Sequence, residues 1–120
     1  MPDRVIVLDS EPVVRSTITA ILTRGGYKVE PVGTLDLALQ SIKNQRPALL
    51  VTNVYLAGIT GREAIRLVKD LYPDLPVLMV SGLPDEDVIH EWTGRNGFDT
   101  FPKPFTADEL IAKVHGMVPG

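Results

Sequence analysis

Along the 120-residue chain, short apolar runs alternate with stretches whose apolar positions recur at helical spacing. The runs predict strands over residues 5–8, 27–32, 48–53, 77–80 and 98–101. Helical stripes follow each of them. The first carries Val14, Ile18, Ile21 and Leu22; the second Leu35, Ala38, Leu39 and Ile42; the third Ala64, Ile65, Val68 and Leu71. The fourth has Val88, Ile89 and Trp92, and the last has Leu110, Ile111, Val114 and Val118. Pro12 suits the first turn of the first helix, where its missing N–H costs nothing, and Gly25-Gly26 stops that helix. Thr34 can cap the second helix and Asp85 the fourth, which Gly94 and Gly97 end. Thr60-Gly61-Arg62-Glu63 and Thr106-Ala107-Asp108-Glu109 match capping boxes. Residues 54–59 read as a loop and 73–76 as a turn. Pro31, late in the second strand, marks an edge position.

Five strands alternating with five helices imply right-handed crossovers and one α/β domain over residues 1–120. The expected architecture is a single doubly wound five-stranded parallel sheet, the flavodoxin-like (βα)5 arrangement with strand order 2-1-3-4-5. Ala48-Leu49-Leu50-Val51-Thr52-Asn53 is its centre: an unbroken apolar run fits a strand buried on both faces. Asn53 then stands at the carboxyl end of a central strand, where sites form in such sheets. Strands one and three are neighbours in this order, so Asp9, Ser10, Glu11 and Asn53 share one crevice. Ser81 and Lys103 leave strands four and five on the same rim.

Composition narrows the chemistry. The absence of cysteine rules out disulfides and thiolate metal sites. A net charge of −3 with no basic run argues against direct nucleic-acid binding. No signal peptide is visible, and no apolar run approaches the roughly 20 residues that span a bilayer, so a cytoplasmic domain is expected. Acids, an amide, a hydroxyl and an ammonium on one rim suit Mg²⁺ and phosphoryl oxygens. Each also has an ordinary structural reading. Asp9-Ser10-Glu11-Pro12 is familiar helix-start chemistry, Asn53 can satisfy local backbone groups, and Ser81-Gly82 is a common turn. Lys103 between two prolines is harder to assign to packing. His90 and His115 show no ligand spacing, and Trp92 suits a core or an interface edge.

The order of these stretches resembles the receiver (response regulatory) domain of two-component signalling over nearly the whole chain. The matching pieces are residues 7–15 with Asp9-Ser10-Glu11-Pro12, then Gly26-Tyr27-Lys28-Val29, residues 53–61, residues 75–82, and Lys103-Pro104-Phe105 before a helix with Glu109-Leu110. The resemblance implies an acid pair that holds Mg²⁺ and an Asp that accepts a phosphoryl group from a histidine kinase. It further implies a Ser or Thr and a Lys that contact that group, a cis-proline after the Lys, and a switch aromatic in the fifth strand. Asp9, Ser81, Lys103 and Pro104 match. Asp9, Ser10, Glu11 and Tyr55 take the acidic and metal-site positions, with Ser10 where the second acid usually stands. Asn53 falls on the acceptor position, Thr100 on the switch position, and Leu56-Ala57 replaces the usual Met-Pro.

These departures matter chemically. An acyl phosphate needs a carboxylate nucleophile, and an amide oxygen is a poor one. Loss of two carboxylates weakens a Mg²⁺ site. The resemblance therefore implies a degenerate, non-enzymatic receiver with no cofactor or only weak Mg²⁺, acting by protein–protein interaction. Its expected partners are a histidine kinase, a phosphotransfer protein or an output domain. A homodimer through the fourth-helix, fifth-strand, fifth-helix face is a family-level expectation. Two alternatives stay open: a receiver phosphorylated at Ser10, Thr52 or Glu11, and a small phosphatase-like enzyme. The phosphatase would need an Asp where Glu11 stands and a cap for which the chain has no room. A flavin-binding flavodoxin would need a Ser/Thr/Gly-rich loop where Glu11-Pro12 stands.

Overall fold

The computed structural model describes residues 3–53, 55–56, 58–81, 98–102 and 105–118, with backbone alone at 55, 56, 61, 62, 81, 98 and 102. The fourth predicted helix, with Asp85, Val88, Ile89, His90, Trp92, Gly94 and Gly97, lies outside these residues, as do Val54, Ala57, Lys103 and Pro104. The five sheet strands are β1 (Arg4–Leu8), β2 (Lys28–Val32), β3 (Leu49–Asn53), β4 (Val77–Ser81) and β5 (Phe98–Pro102). All neighbours pair in parallel, in the order β2-β1-β3-β4-β5. The helices are α1 (Pro12–Arg24), α2 (Leu35–Asn44), α3 (Gly61–Leu71) and a last helix (Ala107–Met117).

Strand alternation explains the two-layered core. Ile6, Leu8, Leu50, Val77 and Met79 face α2 and α3, where Ala38, Ile42, Ile65 and Val68 meet them. Val5, Val7, Leu49, Val51 and Leu78 face α1 and the last helix, where Ile18, Leu22, Leu110 and Val114 meet them. A strand covered on both sides has no polar face to offer, hence the unbroken apolar runs at β1, β3 and β4. Pro31 sits on the edge strand β2, where a missing N–H breaks no ladder on its outer side. No described helix is long and apolar enough to cross a membrane.

Local signals set most helix ends. Pro12 occupies the first turn of α1, Gly25 caps it, and Gly26 follows at φ +97°, where a side chain would be strained. Thr34 Oγ1 accepts from the Leu37 N–H at 3.2 Å. The last helix has the full reciprocal box between Thr106 and Glu109.

Three expectations change. Residues 54–59 are not simply a loop: Tyr55–Leu56 and Ile59–Thr60 form a short antiparallel ladder, turned with Gly58 at φ +81°. At the start of α3 only half of a capping box forms. Thr60 Oγ1 accepts from the Glu63 N–H at 3.2 Å, but the Glu63 carboxylate meets the Thr60 hydroxyl rather than its N–H. Thr60 is at the same time a ladder residue, paired with Tyr55. Leu71 is 60% exposed, because the buried stripe of α3 runs through Ile65 and Val68 to Tyr72, one position further round.

Burial pushes the Tyr27 phenol up, and the Asp3 charge adds to the effect. The phenol donates to the Val118 carbonyl at 3.0 Å, closing the last helix over β2. Its folded value lies above the ordinary value of about 10. Its contribution is therefore fully present below that pH and is lost as pH rises through the folded value. Tyr27→Phe is expected to remove this alkaline decline in urea-measured stability. In the core, Leu50→Ala is expected to cost about 3 kcal/mol, because it leaves a cavity in a fully buried strand. Leu71→Ala is expected to change stability by less than about 0.5 kcal/mol in the same urea titration.

Candidate functional site

Parallel register brings the carboxyl ends of the strands to one edge of the sheet. Leu8 pairs with Thr52, so Asp9 lies level with Asn53. Asn53 pairs with Val80, placing the Ser81 backbone one step further along, and Ser81 pairs with Pro102. The predicted crevice between β1 and β3 is thus present, with the end of β4 beside it. Lys103 and Pro104 lie outside the described residues, and Ser81 and Tyr55 are placed by backbone only.

Asp9 is the centre of the crevice. It is 2% exposed, so its carboxylate has lost nearly all contact with water and needs donors from the protein. Oδ1 accepts from the Glu11 N–H at 2.9 Å, the local turn that an Asp makes with the residue two ahead. Oδ2 accepts from Asn53 Nδ2 at 3.2 Å. The Asp9 N–H donates to the Val32 carbonyl at 3.2 Å, and the Asp9 carbonyl accepts from Arg15 Nη1 at 2.8 Å. The helix-start reading of Asp9-Ser10-Glu11-Pro12 is therefore right in part. Glu11 is the cap position of α1, yet its side chain makes no cap bond, and Asp9 binds the local N–H instead. Glu11 is exposed and Ser10 half-buried.

Arg15 had no role in the sequence reading. Its signal was nonetheless present: a cation in the first turn of a helix opposes the helix dipole and so needs a compensating acceptor. The acceptor is the Asp9 carbonyl. Gly33 makes the approach possible, since a Cβ there would fall 2.7 Å from Arg15 Nη1. Together these contacts tie the end of β1 to α1, β2 and β3 at once.

Thr100, the residue the resemblance put at the switch position, lies on β5 opposite Met79. It is half-buried, and its N–H donates to Asp99 Oδ1 at 2.8 Å. The adjacent Phe101 points to the other face of the sheet, packs against the α1 and last-helix core, and lies 5.3 Å from the Phe105 ring. Asp99 also pairs with Lys113 of the last helix. His115 is exposed, with its ring 5.4 Å from that of Tyr27. No group of three or more potential His, Asp or Glu ligands gathers to hold a metal among the described residues. A polar cavity of about 470 Å³ does exist, but it lies at the opposite edge of the sheet, among Arg4, Lys28, Glu30 and Ser41. There the Arg4 guanidinium is engaged with Glu30, Ser41 and the Gln45 carbonyl, closing α2 against β1 and β2.

Comparison with known proteins gives a consistent family. The model of the response regulator receiver domain matches residues 5–115. The nitrogen assimilation regulatory protein NtrX of Azorhizobium caulinodans is 30% identical over 113 residues, which is 92% of this chain and 25% of that protein. The response regulator MprA of Mycobacterium sp. (strain KMS) is 30% identical over 118 residues, 98% of this chain and 51% of that protein. The chain thus spans a quarter to a half of the curated relatives it matches. The crystal structure of the receiver domain of NtrX from Brucella abortus superposes with a TM-score of 0.86 at 28% identity, covering 96% of this chain and 98% of that one.

Arg15→Ala and Gly33→Ala should each cost about 1 kcal/mol, because both remove the guanidinium from the Asp9 carbonyl. The double substitution should cost little more than either alone, and a urea double-mutant cycle measures that non-additivity.

Proposed function

The chain belongs to the response regulator receiver family, and from that premise we propose that it is a receiver without a phosphoryl switch, working through protein–protein contacts. The supporting observation is Asn53 at the carboxyl end of β3, donating its amide to Asp9. In the family this position carries the Asp that takes the phosphoryl group, and receiver domains typically bind Mg²⁺ beside it. Transfer to that Asp requires a carboxylate oxygen that attacks phosphorus while the donor leaves. The Asn53 amide is neutral, with the nitrogen lone pair delocalised into its carbonyl, so its oxygen lacks the nucleophilicity of a carboxylate, and its N–H is directed at Asp9. Thr100 supports the same reading, since a threonine has no ring to move between exposed and buried positions.

The activity that remains is recognition. A histidine kinase, a phosphotransfer protein or an output domain joined to the receiver are the partners this reading expects, in a cytoplasmic pathway. A homodimer through the fifth strand and its flanking helices belongs to the same expectation. The domain performs no catalysis of its own in this reading.

A second reading keeps phosphorylation but moves the acceptor to Ser10, Thr52 or Glu11. Thr52 is 3% exposed and so poorly placed for a donor. Glu11 is the most accessible of the three. Intact mass after incubation with a small phosphodonor and Mg²⁺ separates the readings. The natural chain is expected to gain no phosphoryl group. A phosphorylated natural chain would sink the proposal, and peptide mapping would then name the acceptor. Asn53→Asp, run alongside, is expected to gain one phosphoryl group if the Ser81 and Lys103 side of the rim is intact.

A further inference from the structure

The crevice donors do not fit a hard divalent cation. Mg²⁺ requires a near-octahedral shell of oxygens and several negative charges to displace its water. Asp9 presents the carboxylate at the base of the crevice, and each of its oxygens already accepts an N–H. Ser10 brings no charge, and Glu11 is exposed. Asn53 directs an N–H donor, not an oxygen, at the Asp9 carboxylate. A cation reaching Asp9 Oδ2 would have to break that contact and would meet the positive end of an amide dipole.

We propose that the Asn53 amide has taken the cation's place as the bridge between β1 and β3, so that the crevice is held closed without metal. Two carboxylates at this distance would repel each other, and the family's usual remedy is a bound cation between them. Exchanging one for an amide turns the repulsion into a hydrogen bond within the chain. Arg15 reinforces the arrangement from the main-chain side, placing a fixed positive charge on the Asp9 carbonyl. The consequence is a receiver whose fold and surfaces do not respond to Mg²⁺. This deepens the reading of the same crevice given above. It uses no phosphodonor, so the bridge and the missing phosphoryl switch can fail separately.

Thermal unfolding of the full chain, followed by circular dichroism at neutral pH, tests the bridge. Each sample is measured in EDTA and in millimolar MgCl₂, with ionic strength matched by KCl. The natural chain is expected to have the same Tm in both, within about 1 °C. Asn53→Asp is expected to melt about 5 °C or more lower in EDTA and to recover most of the loss in MgCl₂. Asn53→Ala is expected to melt lower in both solutions, with no recovery. That variant keeps the test decisive even if Asn53→Asp does not fold in EDTA. A natural chain stabilised several degrees by MgCl₂ would overturn the inference, as would an Asn53→Ala variant that melts with the natural chain.

Discussion

Parallel pairing of β1 with β3 is the constraint on which everything else rests. Both strands are buried on both faces, and their register runs without slip from Val5 opposite Leu49 to Leu8 opposite Thr52. A slip of one residue would turn Ile6, Leu8 and Leu50 away from α2 and α3 and exchange the two cores. Packing therefore fixes the register, and the register fixes which residues meet at the strand ends. Asp9 and Asn53 meet because three apolar pairs and the buried Leu8–Thr52 pair before them fix the register.

The meeting creates an electrostatic demand. A carboxylate as buried as that of Asp9 is costly unless its oxygens find donors. One donor comes from the next turn of the chain and one from Asn53, while Arg15 and Val32 occupy the Asp9 main chain. Four elements are tied through one residue. Gly33 belongs to the same device, because its missing side chain leaves the space through which Arg15 reaches.

Outside the crevice the fold leaves a few large apolar side chains in solvent. Val13, on the first turn of α1 beside the crevice, is 77% exposed. Leu37 on α2 and Leu67 and Leu71 on α3 are also uncovered. Single exposed residues of this kind are common on proteins. They lie on both helical layers.

The sequence by itself determined the fold and its direction. Unbroken apolar runs this short, bounded by turn residues, fit strands covered on both faces, and the alternation with helical stripes points to a doubly wound parallel sheet. Pro31 at an edge, Pro12 at a helix start, Thr34 and Thr106 as caps are local effects that act within a few residues, and so were legible. Asn53 was legible as a polar residue closing an apolar strand, which is also a local pattern. Tertiary structure alone decided what lay across the chain. The hydrogen bond from Asn53 to Asp9 spans 44 positions. The reach of Arg15 past Gly33 depends on where a separate strand ends, and Leu71 is exposed because the buried stripe of α3 continues to Tyr72. Propensity and spacing act over one turn or one strand, whereas partners for a buried charge are chosen by whichever donors the packed strands bring within 3 Å or so.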